Sequence, residues 1–235
     1  MSWTVKHDGT SNSQNALDIE DLDKALLQAA KTKLVFCSGP DIGNIDNDEL
    51  QLYRPVGATV TSVTENIFRI GAASSDGNPW PRSGNKNVVD YTLPGFEVLE
   101  IEGEEVVPDD KSPKTGSSIA TALAAGLAAL IIHVVRLAAI RTFELSKQDE
   151  LHVVKAASLK AIKSFTGMRQ VFDDMSQERK GDLCVHVHKY FEQNGRNLNM
   201  ALDGEDSNSE KTRKWNIIEV LARALIPQKI EDKTP

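Results

Sequence analysis

Residues 119–140, "IATALAAGLAALIIHVVRLAAI", are apolar apart from Thr121, His133 and Arg136. No other stretch limits the possible folds so sharply. A run of about 20 apolar positions is long enough to cross a bilayer as a helix. It is also what a helix needs if it is to be buried on all sides within a large soluble domain. Composition favours the second use. Alanine and glycine dominate and add little transfer energy, and Arg136 would cost roughly 2.5–3.5 kcal/mol at mid-bilayer. A central core helix, closely packed by strands, is the expectation, and no membrane partner.

The head of the run, "TGSS" at Thr115–Ser118, places two serines where the helix should begin. Serine there commonly serves as an N-cap. A serine at a helix N-terminus also has free backbone N–H groups and the positive end of the dipole beside it, which suits a nucleophile. Both readings stay open on these residues alone.

The surrounding texture indicates α/β architecture. "DLDKALLQAAKT" has helical spacing with acidic residues ahead of it. "KLVFCSG" and "NIFRIGAAS" are continuous apolar runs closed by small residues, as in strands buried on both faces. "MSWTV" reads as a strand, and "VVDYTLPGFEVLEI" as strand, Pro-Gly turn and strand. Strands and helix in this alternation predict a parallel sheet. From about residue 145 the pattern becomes helical: "DELHVVKAASLKAIKSF" sets Leu151, Val154, Leu159 and Ile162 near one face. "GDLCVHVHKYFEQN" and "KWNIIEVLARALI" read as two more helices, with a polar loop, "GRNLNMALDGEDSNSEK", between them. The expected division is therefore 1–145 for the α/β part and 146–235 for an all-helical extension.

Charge excludes some functions. The chain carries a formal net charge of −7. Residues 1–140 hold 11 Lys/Arg against 19 Asp/Glu, and residues 141–235 hold 16 against 15. No basic stripe dominates either part, so no nucleic-acid partner is expected. Cys37 and Cys184 make no disulfide framework. "MSWTVKHDGTSNS" lacks the basic and apolar regions of a signal peptide, which implies an intracellular, cytoplasmic protein. Cys184, His186 and His188 alternate and would share a face on a strand. On the expected helix only Cys184 and His188 do, and two ligands make no closed zinc site. No metal and no cofactor are expected.

Four ordered blocks carry a resemblance. "GSSIATALAAGLAALI" resembles the subtilisin-like serine protease block in which G-[TS]-S-x-A opens a long central helix. Gly116, Ser117, Ser118, Ala120, Ala125, Gly126, Ala128, Ala129, Leu130 and Ile131 fall on matching positions, and Thr121-Ala122-Leu123 depart from the usual Ser-Pro-His. "MSW" resembles the strand lining the substrate channel. "LVFCSGPDIG" resembles the strand and turn that carry the oxyanion-hole side chain. "IFRIGAASSDG" with "VDYTLPG" resembles the strand and turn ahead of the nucleophile, in a variant closer to intracellular-looking fungal domains. The resemblance implies a three-layer subtilisin-like parallel sheet, a serine endopeptidase activity and a polypeptide substrate. Ser118 would be the nucleophile and Asp41 would stand at the oxyanion-hole position. Ser2, Trp3, Gly39 and Gly116 would line the substrate.

Two departures qualify the activity. The family carries Asn where Asp41 stands, and an ionised carboxylate repels an oxyanion; Asp41 helps only as a protonated donor, or simply caps the turn in "GPDIGN". The family's Asp and His motifs would precede "MSW", and nothing precedes Met1. "HDGT" at His7–Thr10 follows the strand and opens a polar loop, which makes a poor base. The expectation is the C-terminal half of a catalytic domain. The alternative is an inactive fragment or pseudoenzyme that binds a protein partner, with the helical extension as a candidate surface.

Overall fold

The computed structural model describes residues 5–6, 13–43, 53–54, 65–84, 88–98, 101–102, 105–106, 113–145, 154–179, 182–188, 191–192 and 207–226. Ser2, Trp3 and "HDGT" lie outside them. So does the polar loop between the last two expected helices, up to residue 206. Two compact units are present: Met1–Ala125 with Ser176–Val185, and Gly126–Met175 with His186–Pro235.

The first unit is α/β, as expected. Helix α1 (Ser13–Ala30) covers the "DLDKALLQAA" pattern and starts ahead of it. Lys24 reaches both Glu20 and Asp21, the spacing at which side chains meet on a helix surface. Strands β2 (Phe36–Ser38), β4 (Phe68–Ala73) and β5 (Tyr91–Pro94) form successive parallel pairs, Phe36 against Phe68 and Ile70 against Tyr91. These are the apolar runs read as strands. Phe68, Ile70, Ala72, Tyr91 and Leu93 are buried, and Phe36 stacks on Phe68 with ring centroids 4.8 Å apart. Arg69 is the charged exception within β4. Its guanidinium and its backbone N–H all donate to the Asp90 carboxylate, which ties the strand to the turn entering β5.

Two short antiparallel pairs stand apart from this sheet. They are β1 (Val5–Lys6) with β3 (Tyr53–Arg54), and β6 (Ile101–Glu102) with β7 (Glu105–Val106).

The extension is not all-helical. Within "GDLCVHVHKYFEQN", expected as a helix, Asp182–Val185 instead forms strand β9, hairpinned to β8 (Ser176–Arg179). Strand β9 then lies parallel to β5, giving the order β2-β4-β5-β9-β8. Leu183 is exposed while Cys184 and Val185 are both buried, so no clean alternation marks the strand; its backbone pairing decides it. An open parallel edge at β5 supplies backbone partners that an isolated helix reading ignores.

Helix α2 (Ser117–Leu145) is the long apolar helix, and the division between units falls within it. By length and composition it could cross a membrane, with mean hydropathy 2.2 over its most apolar window, of which 33% is buried. Core helices of soluble proteins meet the same criterion. In the second unit, Ile131, Val135 and Ala138 of α2 are buried, and Thr142 accepts the Val154 N–H through its hydroxyl. Helices α3 (Ala156–Ile162) and α4 (Phe165–Met175) follow, both within the expected helical stretch or continuing it. Ser164 caps α4 by accepting the Gly167 N–H. Helix α5 (Ser207–Leu225) contains the "KWNIIEVLARAL" pattern but begins inside the polar segment read as loop. Trp215 of α5 lies under the Arg141 guanidinium.

Candidate active site

The site lies at the carboxyl ends of the parallel strands, where α/β sheets generally present ligands. Strand β4 alternates its backbone groups toward β2: Phe68 donates to Val35, and Ile70 accepts from Gly39 at 2.8 Å. Ala72 is next in that alternation, but β2 has already ended at Ser38. Side-chain hydroxyls take its place. The Ala72 N–H donates to Ser83 Oγ at 2.8 Å and reaches Ser117 Oγ at 3.2 Å. The Ala72 carbonyl accepts the Trp80 N–H at 2.8 Å, with Ser83 Oγ also within 3.1 Å of it.

Past β2 the chain runs through Gly39 and Pro40 to Asp41, which adopts a left-handed backbone with φ 53°. Aspartate tolerates that conformation better than most residues. Gly39 is buried, and a Cβ there would stand 2.8 Å from the Ser83 carbonyl oxygen, so the turn needs glycine. Gly43 then donates to the Arg82 carbonyl at 2.8 Å. Gly116, ahead of α2, is held by donation to the Gly95 carbonyl at 2.8 Å, and Val98 and Lys114 bridge in antiparallel fashion just behind it.

These turns bring Asp41 to the start of α2. Its Oδ2 accepts the Ser117 N–H at 2.9 Å, and its Oδ1 accepts the Ser117 hydroxyl at 2.5 Å. A carboxylate at a helix N-terminus is favoured by the exposed N–H groups and the dipole. Ser117 itself is fully buried, and Ser118, the second residue of α2, is exposed. The point that a Cβ on Gly116 would occupy is 3.3 Å from both Asp41 Oδ2 and Ser118 Oγ. The two oxygens therefore lie no further apart than twice that distance. Among the described residues no acceptor takes the Ser118 N–H.

Of the residues singled out from sequence, the structure brings Ser118, Asp41, Gly39 and Gly116 together. Ser2 and Trp3 lie outside the described residues. Ser83 and the Ala72 peptide escape sequence reasoning; a lone serine in "WPRSGN" carries no pattern that distinguishes it. Among the described residues of this unit there is no histidine. His133 lies further along α2, about 22 Å from Ser118 at 1.5 Å rise per residue. Cys37 offers no second nucleophile, because burial, with Asp90 adding to it, pushes its thiol up to about 12. Among the described residues no group of three or more His, Cys, Asp or Glu side chains could hold a metal ion.

Comparison with known proteins decides the family. The model of the subtilase family, Peptidase_S8, matches residues 1–168. The chain belongs to the subtilase family. The α/β fold with its parallel sheet is the one the family resemblance implied. Solved structures similar to this subtilase include a lanthipeptide protease, with 16% identity, TM-score 0.48, and 82% of this chain covered against 60% of that one. Another is the prenylagaramide maturation protease PagA, with 13% identity, TM-score 0.38, and coverage of 88% and 68%. The PatG macrocyclase in complex with peptide matches at 18% identity, TM-score 0.27, and coverage of 52% and 47%. The chain thus spans three fifths of the lanthipeptide protease's length. No curated protein matches this subtilase.

Proposed function

We infer that this subtilase is a serine endopeptidase whose nucleophile is Ser118. What carries this reading is the exposed Ser118 at the start of α2, its N–H without an acceptor among the described residues, next to the Gly116 backbone that a substrate strand can approach. Attack of Oγ on a peptide carbonyl forms the C–O bond and moves charge onto the carbonyl oxygen. The Ser118 N–H is positioned to receive that charge. The hydroxyl proton passes to a base and later to the departing amine. No Asp or His is assigned these roles among the described residues. The polypeptide substrate follows from membership of the family.

One observation favours a second reading, a subtilase-like interaction module without turnover. Both Asp41 oxygens accept hydrogen bonds from Ser117 at the position where a donor is needed. A fluorophosphonate probe separates the two readings. Covalent labelling that maps to Ser118 and vanishes in Ser118→Ala supports the peptidase; a folded protein that takes up no probe supports the module.

A further inference from the structure

We propose that Ser83 and Ser117 are positioning residues, a two-hydroxyl relay that runs from the Ala72 peptide group to Asp41 and fixes the carboxylate beside Ser118. The inference deepens the reading of Ser118 as nucleophile, and its consequence for reactivity rests on that reading.

The relay follows from the hydrogen-bond accounting. Ser117 Oγ carries one proton and lies 2.5 Å from Asp41 Oδ1 and 3.2 Å from Ser83 Oγ. The shorter bond goes to a charged acceptor and takes the proton. Ser117 Oγ is then left as an acceptor, facing the Ala72 N–H and the Ser83 hydroxyl. Ser83 in turn accepts the Ala72 N–H, and because the Trp80 N–H already serves the Ala72 carbonyl at 2.8 Å, the one Ser83 proton is available to Ser117 Oγ. All three bonded serine and alanine residues are at most 1% exposed, so water offers no substitute partner.

The room for this arrangement is made by glycine. A Cβ on Gly71 would stand 3.2 Å from Ser83 Cβ, and one on Gly39 would stand 2.8 Å from the Ser83 carbonyl oxygen. Ser83 is therefore wedged between β2, β4 and the start of α2. Rotation of Asp41 away from Ser118 would break both of its bonds to Ser117 and leave the buried Ser117 proton only the longer, neutral contact with Ser83 Oγ. The carboxylate's orientation is thus set from behind, by the Ser117 and Ser83 hydroxyls.

The test is residue-resolved amide exchange of Ser117 by NMR, because its N–H donates directly to Asp41. Ser83→Ala should speed that exchange by about fivefold to tenfold, the worth of one net hydrogen bond. In an Asp41→Ala background the same substitution should change it by less than about twofold, since the relay then has no end point. Ser117→Thr, which keeps the hydroxyl, should match the parent; Ser117→Val should resemble Ser83→Ala. Equal acceleration in both backgrounds, or none in either, overturns the relay. If Ser83→Ala does not fold, Ser83→Cys supplies a weak hydrogen-bonder of similar size for the same comparison. Fluorophosphonate labelling is read in parallel. A folded protein unlabelled in every variant removes Ser118 as nucleophile, while the exchange result still decides the relay.

Discussion

Replacing Asp41 by asparagine removes a negative charge from beside the developing oxyanion and offers an N–H in its place. The structure sets the size of the effect. Asp41 Oδ2 and Ser118 Oγ are each 3.3 Å from one point above Gly116, so their separation is at most twice that. The oxyanion forms on the carbonyl that Ser118 Oγ attacks, so this separation sets the scale: two unit charges that far apart repel by about 2.5 kcal/mol at an effective dielectric of about 20. Asp41 is half-buried, and solvent screening reduces the figure, leaving roughly tenfold to fiftyfold in rate. An added oxyanion donor is worth about 10²–10³-fold where geometry is ideal, which sets the ceiling.

The asparagine fits the existing bonds without rearrangement of the backbone. Its carbonyl oxygen accepts the Ser117 N–H in place of Oδ2. Its amide donates to Ser117 Oγ, whose proton turns to Ser83 Oγ 3.2 Å away. The remaining amide hydrogen is free for the oxyanion. The assay is the second-order rate of fluorophosphonate labelling at Ser118 near neutral pH, with Ser118→Ala as blank. Asp41→Asn should react at least tenfold faster than the parent. Asp41→Ala, which removes charge without adding a donor, should fall between them. A folded Asp41→Asn that labels at the parent rate or more slowly refutes the repulsion argument.

Two further outcomes follow from local geometry. A Cβ on Gly95 would meet Ala72 Cβ at 2.8 Å, the Gly116 carbonyl at 2.9 Å and Ala120 Cβ at 3.0 Å. Gly95→Ala should therefore lower stability by about 1–3 kcal/mol, read as a drop in thermal midpoint, and slow Ser118 labelling by displacing Gly116; an unchanged midpoint would show that the turn accommodates the methyl. Asp76 accepts from the Ser74 hydroxyl and from the Asn78 backbone and side chain, and these bonds bring its carboxyl down from 3.8 to about 2. A depressed carboxyl stabilises the fold above its unfolded value and loses that contribution as pH falls through the folded one. Asp76→Ala should thus be less stable than the parent above pH 4, with the gap closing toward pH 2; a gap that is constant with pH would mean the charged loop contributes nothing.

The legible parts of this molecule are those in which a single segment decides its own state. The apolar runs around Phe68 and Tyr91 had to be buried strands, and "TGSS" ahead of an alanine-rich run had to open a helix. Strand β9 was not legible in that way, because "LCVHVH" carries both periods weakly. What settles it is the unpaired edge of β5, some ninety residues earlier in the chain.

The site divides along the same line. Ser118 and Asp41 stand in recognisable blocks, so residue type and order alone point to their chemistry. Ser83 has no such block. Its importance arises because β2 pairs only as far as Ile70, three residues before β4 ends, which leaves the Ala72 peptide without a ladder partner in β2. Burial forbids that vacancy; the Trp80 N–H serves the Ala72 carbonyl, and the hydroxyls of Ser83 and Ser117 receive its N–H. The same requirement that completes the sheet therefore aims the Asp41 carboxylate. Any sequence change that lengthened β2 by a pair would satisfy Ala72 from the strand and release both serines. A relay of this kind is visible only once register is known, since it is built from the mismatch between two strand lengths rather than from a pattern in either strand.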